Sequence, residues 1–137
     1  MRIKLITILL ITLLINISCT SLKINSAKRN IVYPGVPSGN TLMKYELIIN
    51  SQTQFSINRI SLKDETIDVY SVQDINTQVF MDIKKNLFEP GEYKLSFSSK
   101  FISKNQEDNK ITIEFKIRGK TKIISVLPKE MPPVRRR

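Results

Sequence analysis

The 137-residue chain contains no histidine, no tryptophan and a single cysteine, Cys19. Without imidazole there is no Ser-His-Asp triad, no Cys-His pair and no histidine metal ligand. A lone thiol excludes an internal disulfide and any cysteine-rich zinc site. Only four glycines occur, and none builds a phosphate-cradling loop. These absences remove most familiar hydrolase and metalloenzyme chemistry and imply no cofactor. Catalysis by carboxylates or lysine remains open.

Acid is also scarce. Twelve Asp and Glu face 22 Lys and Arg, giving a formal charge of +10 and a pI near 9.9. Such a surface suits anionic partners: phospholipid, phosphorylated glycans, nucleic acid. Composition offers a second explanation. Ile, Lys and Asn are abundant while alanine occurs once, at Ala27, the bias of an AT-rich genome, which raises lysine whether or not an anion is bound. Single-stranded nucleic acid is held by cations interleaved with exposed aromatics. Here Tyr45, Tyr93, Phe97 and Phe115 fall at core positions of alternating segments, so no nucleic-acid partner is expected.

The N-terminus carries the first positive signal. Arg2 and Lys4 precede an apolar run from Leu5 to Ile17, broken only by Thr7, Thr12 and Asn16. The run is shorter than the roughly 20 residues a membrane-spanning helix needs. A basic start, a short apolar stretch and a small residue, Ser18, before a cut form a secretory signal over residues 1–18. Removing it leaves 119 residues with 20 basic and 12 acidic side chains, a net +8. That length suits one modest domain, near the roughly 100 residues of an immunoglobulin-type sandwich.

Ile15-Asn16-Ile17-Ser18-Cys19 resembles the lipobox of bacterial lipoproteins. The resemblance implies cleavage after Ser18 and a diacylglyceryl group on the Cys19 thiol, tethering the mature chain to a membrane. Asn16 departs from it, since the family usually has Leu, Val or Ile three places before the cysteine. Thr20-Ser21, rather than Asp, follows the cysteine. By the same resemblance the expected home is the outer membrane, facing the periplasm. Residues 19–29 are polar without a clear period and read as a lipidated tether; ten flexible residues reach about 18 Å. Lys23, Lys28 and Arg29 would then lie close to an anionic leaflet.

Beyond residue 30 the chain alternates in steps of two. Met43, Tyr45, Leu47 and Ile49 share one face; so do Tyr93, Leu95 and Phe97, and Ile111, Ile113, Phe115 and Ile117. This is the signature of half-buried antiparallel strands, placed near 30–34, 41–50, 55–62, 66–73, 78–83, 92–99, 110–118 and 121–127. Parity slips twice. Phe55 and Ile57 give way to Ile60 and Leu62, and Ile67 and Val69 to Tyr70 and Val72. Each slip predicts a bulge or a strand crossing between sheets. Pro34 to Asn40, Asn50 to Gln54 and Asn105 to Asn109 read as loops, and Arg118-Gly119-Lys120 as a tight hairpin. Residues 128–137, ending in Arg135, Arg136 and Arg137, read as a disordered basic tail able to meet phosphate or anionic lipid.

Leu87 to Leu95, with Pro90-Gly91-Glu92-Tyr93 at its centre, resembles the Pro-Gly-x-Tyr corner of bacterial immunoglobulin-like and fibronectin-like domains. That resemblance implies an inward tyrosine ring whose hydroxyl bonds backbone across the corner. The expected fold is therefore a single all-β, immunoglobulin-like antiparallel sandwich over residues 30–127. The chain also resembles small uncharacterised lipoproteins of Gram-negative bacteria, which implies no activity.

Asp64, Glu65 and Asp68 form the densest acidic group, and Glu107-Asp108 a second, flanked by asparagines. The first could hold a cation or act as a carboxylate pair, but it lacks the glycine-bearing calcium loop and equally suits a solvated turn. The expected function is a membrane-tethered, non-catalytic binding or structural module, with an envelope protein or anionic polymer as partner. The alternatives are an anion-binding module for lipopolysaccharide and a carboxylate-based enzyme or inhibitor.

Overall fold

The computed structural model describes residues 21–63, 65–100 and 110–137. Ten strands follow in chain order, and no helix is present among these residues. They are β1 (Leu22–Tyr33), β2 (Leu42–Ser51), β3 (Ser56–Leu62), β4 (Glu65–Thr66), β5 (Tyr70–Asp74), β6 (Gly91–Lys100), β7 (Ile111–Ile117), β8 (Lys120–Val126), β9 (Lys129–Glu130) and β10 (Val134–Arg135). One sheet runs β10-β1-β2-β6-β5, with β9 also beside β1; the other runs β4-β3-β7-β8. The two pack face to face as a β-sandwich.

Alternation builds the core as expected. Tyr45, Leu47 and Ile49 of β2 are buried against the inward rows of β6, where Phe97, Leu95 and Tyr93 are their register partners. Ile113 and Phe115 of β7 close the core from the other sheet. Each fully buried Leu, Ile or Phe contributes roughly 1.5–3 kcal/mol of transfer free energy. Phe55 is the hub of an aromatic cluster. Its ring centroid lies 5.2 Å from Phe88, 5.7 Å from Tyr93 and 6.0 Å from Phe115, in tilted and edge-on geometries that favour aromatic pairs.

Both parity slips have physical causes, and each uses a different device. The β3–β7 register shifts between Ile57 and Arg59, a bulge at Asn58 that returns Ile60 to the core. Between Ile67 and Val72 the chain changes sheets. β4 pairs with β3, whereas β5 pairs with β6, and Val69 at the crossing is exposed.

Three expectations need correction. Residues 22–29 are not a tether but most of β1, which pairs with β2 from Leu22 to Val32. A bulge between Ile24 and Ser26 hides the alternation, because Leu22 and Ala27 reach the core from opposite parities. Of the residues assigned to the tether, Cys19 and Thr20 lie outside the described residues. Residues 128–137 are not a free tail either. β9 and β10 run parallel to β1, the Met131 N–H donates to the Arg29 carbonyl at 2.8 Å, and the Arg136 N–H to the Tyr33 carbonyl at 3.1 Å. The backbone at the edge of β1 recruits a sequence whose side chains carry no strand signal. The sandwich thus reaches from Leu22 to Arg135, beyond the expected 30–127. Finally, 78–83 is no strand. Asp74 caps a turn that leaves Gln78 at φ 62°, and only Phe80 bridges back to Gln73.

Candidate functional site

β1 runs the whole length of the sandwich and gives it two distinct ends. At the first end Leu22 pairs with Ser51, and Ser51 with Gly91. Here the chain enters under tight restraint. The Ser21 carbonyl accepts from the Gln52 N–H at 2.7 Å and from Ser51 Oγ at 3.3 Å. Lys122 Nζ donates to the Leu22 carbonyl at 2.9 Å, joining β8 to β1 across the seam between the sheets. Cys19 lies outside the described residues, but only Thr20 separates it from the pinned Ser21.

The Arg118–Gly119 hairpin sits at this same end, because Lys122 near the start of β8 bonds the Leu22 carbonyl. Both turn residues have positive φ, 50° and 76°, as a tight two-residue turn between twisted strands requires. The expected corner is at the same end, towards the β5 edge: Tyr93 is buried and its hydroxyl donates to the Glu89 carbonyl at 2.7 Å. Burial raises the Tyr93 pKa above its ordinary value, and the charges of Asp74 and Glu89 push it the same way. Burial alone raises that of Tyr70.

At the second end, the far end of β1 and the loop after it form an open cleft of about 460 Å³. Val32 and Leu42 lie along it, Pro34 to Val36 with Gly39 and Asn40 form one wall, and Arg136 and Arg137 the other. The Gly39 N–H bonds the Val36 carbonyl at 3.1 Å and folds the loop. Gly35 is required by proximity: a Cβ there would stand 2.8 Å from the Arg136 carbonyl oxygen. No acidic residue lines the cleft. Guanidinium groups such as those Arg136 and Arg137 carry bind carboxylate or phosphate in a fork, which makes the cleft a candidate anion site.

Between the two ends, Arg29 is buried in β1 on the row that continues through Tyr45, Phe97 and Tyr70. Tyr45 and Phe97 stack at 5.0 Å and 14°. Glu130 on β9 pairs with the Arg29 guanidinium and ties the C-terminal segment to β1.

The acidic groups read from sequence are not assembled into a site by the described residues. Asp64, Glu107 and Asp108 lie outside them, while Glu65 and Asp68 are exposed. Among the described residues no three of His, Cys, Asp and Glu come close enough to hold a metal. Of the basic run at the C-terminus, Arg136 and Arg137 line the cleft. Sequence reading put Arg29 beside an anionic leaflet, whereas it is buried in β1 and paired with Glu130, and it missed Glu130 and Lys122. Their partners are about 100 residues away, so no local spacing announces them. Comparison with protein-family models, with curated proteins and with solved structures returns no match.

Proposed function

We propose that this chain is an exported envelope lipoprotein: a non-catalytic β-sandwich binding module held to the outer membrane by lipid on Cys19, facing the periplasm. One observation carries the reading. The chain's only cysteine stands two residues before Ser21, whose carbonyl is pinned at one end of the sandwich, while the open cleft lies at the other. A lipid at Cys19 would therefore hold the cleft away from the bilayer, free to meet a partner. β1 has 12 residues, and its 11 steps of about 3.3 Å each put its ends close to 36 Å apart. Two or three acyl chains suffice for firm attachment, since each buried methylene is worth about 0.8 kcal/mol.

The immunoglobulin-like kinship belongs to the same proposal. The order β1-β2-β6-β5 over β3-β7-β8 corresponds to strands A-B-E-D over C-F-G of an immunoglobulin-type sandwich. Tyr93 departs from that scheme, because it opens β6, the E position, whereas the tyrosine corner of antibody domains opens F.

Lipid labelling of wild type beside Cys19→Ala tests the reading. The expected outcome is label and membrane retention in wild type, and loss of both in the variant. A full-length, uncleaved and unlabelled wild-type chain that stays in the membrane overturns it.

A second reading is favoured by the cleft: an anion-binding module for lipopolysaccharide or another anionic envelope polymer. It rests on Arg136 and Arg137 lining a cleft without acid. Binding of lipopolysaccharide that weakens with salt and with Arg136→Ala/Arg137→Ala supports it. Binding unchanged by either sinks it, since salt screens exposed charges.

A further inference from the structure

Basic residues gather at the N-terminal end of the sandwich, where β8 meets β1. Lys23 on β1, Lys116 on β7, Arg118 in the hairpin, and Lys120 and Lys122 on β8 all lie on the β1–β7–β8 side, where the chain enters. Lys23, Lys116, Arg118 and Lys120 are exposed, and Lys122 is half-buried with its ammonium on the Leu22 carbonyl. Of the acids at this end, Asp74 and Glu89 lie at β5 and just before β6, Glu92 on β6 shares a cross-strand row with Lys23 through Asn50, and Glu114 on β7 stands two residues from Lys116 on the same face. The exposed Arg118 and Lys120 of the hairpin, with Lys122 on the Leu22 carbonyl and Lys23 next to that residue, thus gather near Ser21, where the described chain begins.

We infer that this corner is a headgroup-binding foot, by which the domain seats itself on an anionic lipid surface in one orientation. The inference rests on the lipoprotein reading, because lipid on Cys19 brings the corner to the bilayer. With the Ser21 carbonyl held by Gln52 and Ser51, only Thr20 lies between that bonded segment and Cys19, a far shorter link than a ten-residue tether. Each lysine or arginine within a Debye length of an anionic leaflet gains attraction, and the gains accumulate over a cluster. Lys23, Arg118 and Lys120 are placed for this contact. Ser38, in the loop beyond the far end of β1, is about 36 Å away along the strand.

Because Cys19 is the only cysteine and its thiol would be blocked by lipid, an introduced cysteine is the sole site for a fluorescent label. Full-length lipidated protein carrying Thr121→Cys or Ser38→Cys is reconstituted into vesicles containing brominated phosphatidylglycerol or brominated phosphatidylcholine. The expected result is strong quenching of the label at residue 121 on the anionic vesicles and little at residue 38. Quenching at 121 should fall at least about twofold with 0.5 M salt, on the zwitterionic vesicles, or with Arg118→Glu/Lys120→Glu, as screened surface attraction requires. Equal quenching at both positions overturns the inference, as does quenching at 121 that ignores lipid charge, salt and the double substitution. Mass analysis of residue 19 separates the two failures. A lipid-free cysteine overturns the lipoprotein reading and the foot together, whereas a lipidated cysteine with charge-indifferent quenching overturns the foot alone.

Discussion

Arg29 and Glu130 form an ion pair across 101 residues of chain, and only the arginine is buried: its side chain is 9% exposed, that of Glu130 70%. The pair fastens β9 to β1 at the seam of the sandwich. Arg29 Nε has no hydrogen-bond partner among the described residues, so the glutamate carries most of the compensation for a charge held on the inward face.

That asymmetry predicts opposite results from the two partners. Glu130→Ala leaves a buried guanidinium without its carboxylate. The loss should be about 1–2 kcal/mol, between that of an exposed and a fully buried pair. Arg29→Met removes the charge and keeps the volume, and should be neutral or mildly stabilising. Urea unfolding midpoints of the two variants check this. A larger loss for Arg29→Met than for Glu130→Ala would show that the pair stabilises the fold outright.

Phe55 is the second target. It is 1% exposed and touches three other rings drawn from β6, β7 and the segment before β6. Phe55→Ala should cost about 3–5 kcal/mol through the cavity it leaves. Against a usual total of about 5–15 kcal/mol, that is enough to threaten cooperative folding. Phe55→Leu should cost about 1 kcal/mol and keep the transition sharp. Thermal melts followed by circular dichroism distinguish the two.

Most of the fold was legible where one face of a strand is buried over several residues. β2, β6 and β7 lie within a residue or two of where alternation placed them, and both parity slips marked real devices. Only the end of β1 was expected, as a strand at 30–34; its first eight residues escaped because a bulge splits the strand into short runs of opposite parity. β9 and β10 escaped for a different reason. Their pairing uses backbone groups at the edge of β1, and backbone groups leave no trace in side-chain periodicity. The cleft was half legible: the Pro34–Asn40 loop and the basic C-terminus were each noticed, but their meeting depends on that same invisible pairing.

Gly35 tests how that meeting is held. An alanine Cβ would stand 2.8 Å from the Arg136 carbonyl oxygen, and backbone yields less readily than a flexible side-chain tip. Gly35→Ala should push the C-terminal segment off the far end of β1 while leaving the core intact. Hydrogen exchange should show lost protection at the Arg136 amide, which bonds Tyr33, with the amides of β6 unchanged. Retained protection at Arg136 would mean that the loop, not the C-terminal segment, gives way.

The corner tyrosine supplies a pH signature. The Tyr93 hydroxyl donates to the Glu89 carbonyl, and burial, reinforced by the charges of Asp74 and Glu89, holds its pKa above the ordinary 10.0. A phenol whose folded pKa is raised stays protonated in the native state while the unfolded state has already lost its proton. Its contribution is therefore complete below pH 10 and is lost as pH rises from there through the folded value. Tyr70, raised by burial, adds to the same slope. Tyr93→Phe should cost about 1 kcal/mol at neutral pH through the lost hydrogen bond. The gap between variant and wild type should narrow above pH 10, because phenylalanine has no proton to lose. Urea unfolding at neutral pH and at several values above 10 measures both effects. A gap that stays constant would mean that the hydroxyl ionises as readily in the folded chain as in the unfolded one, and a gap that widens that it ionises more readily.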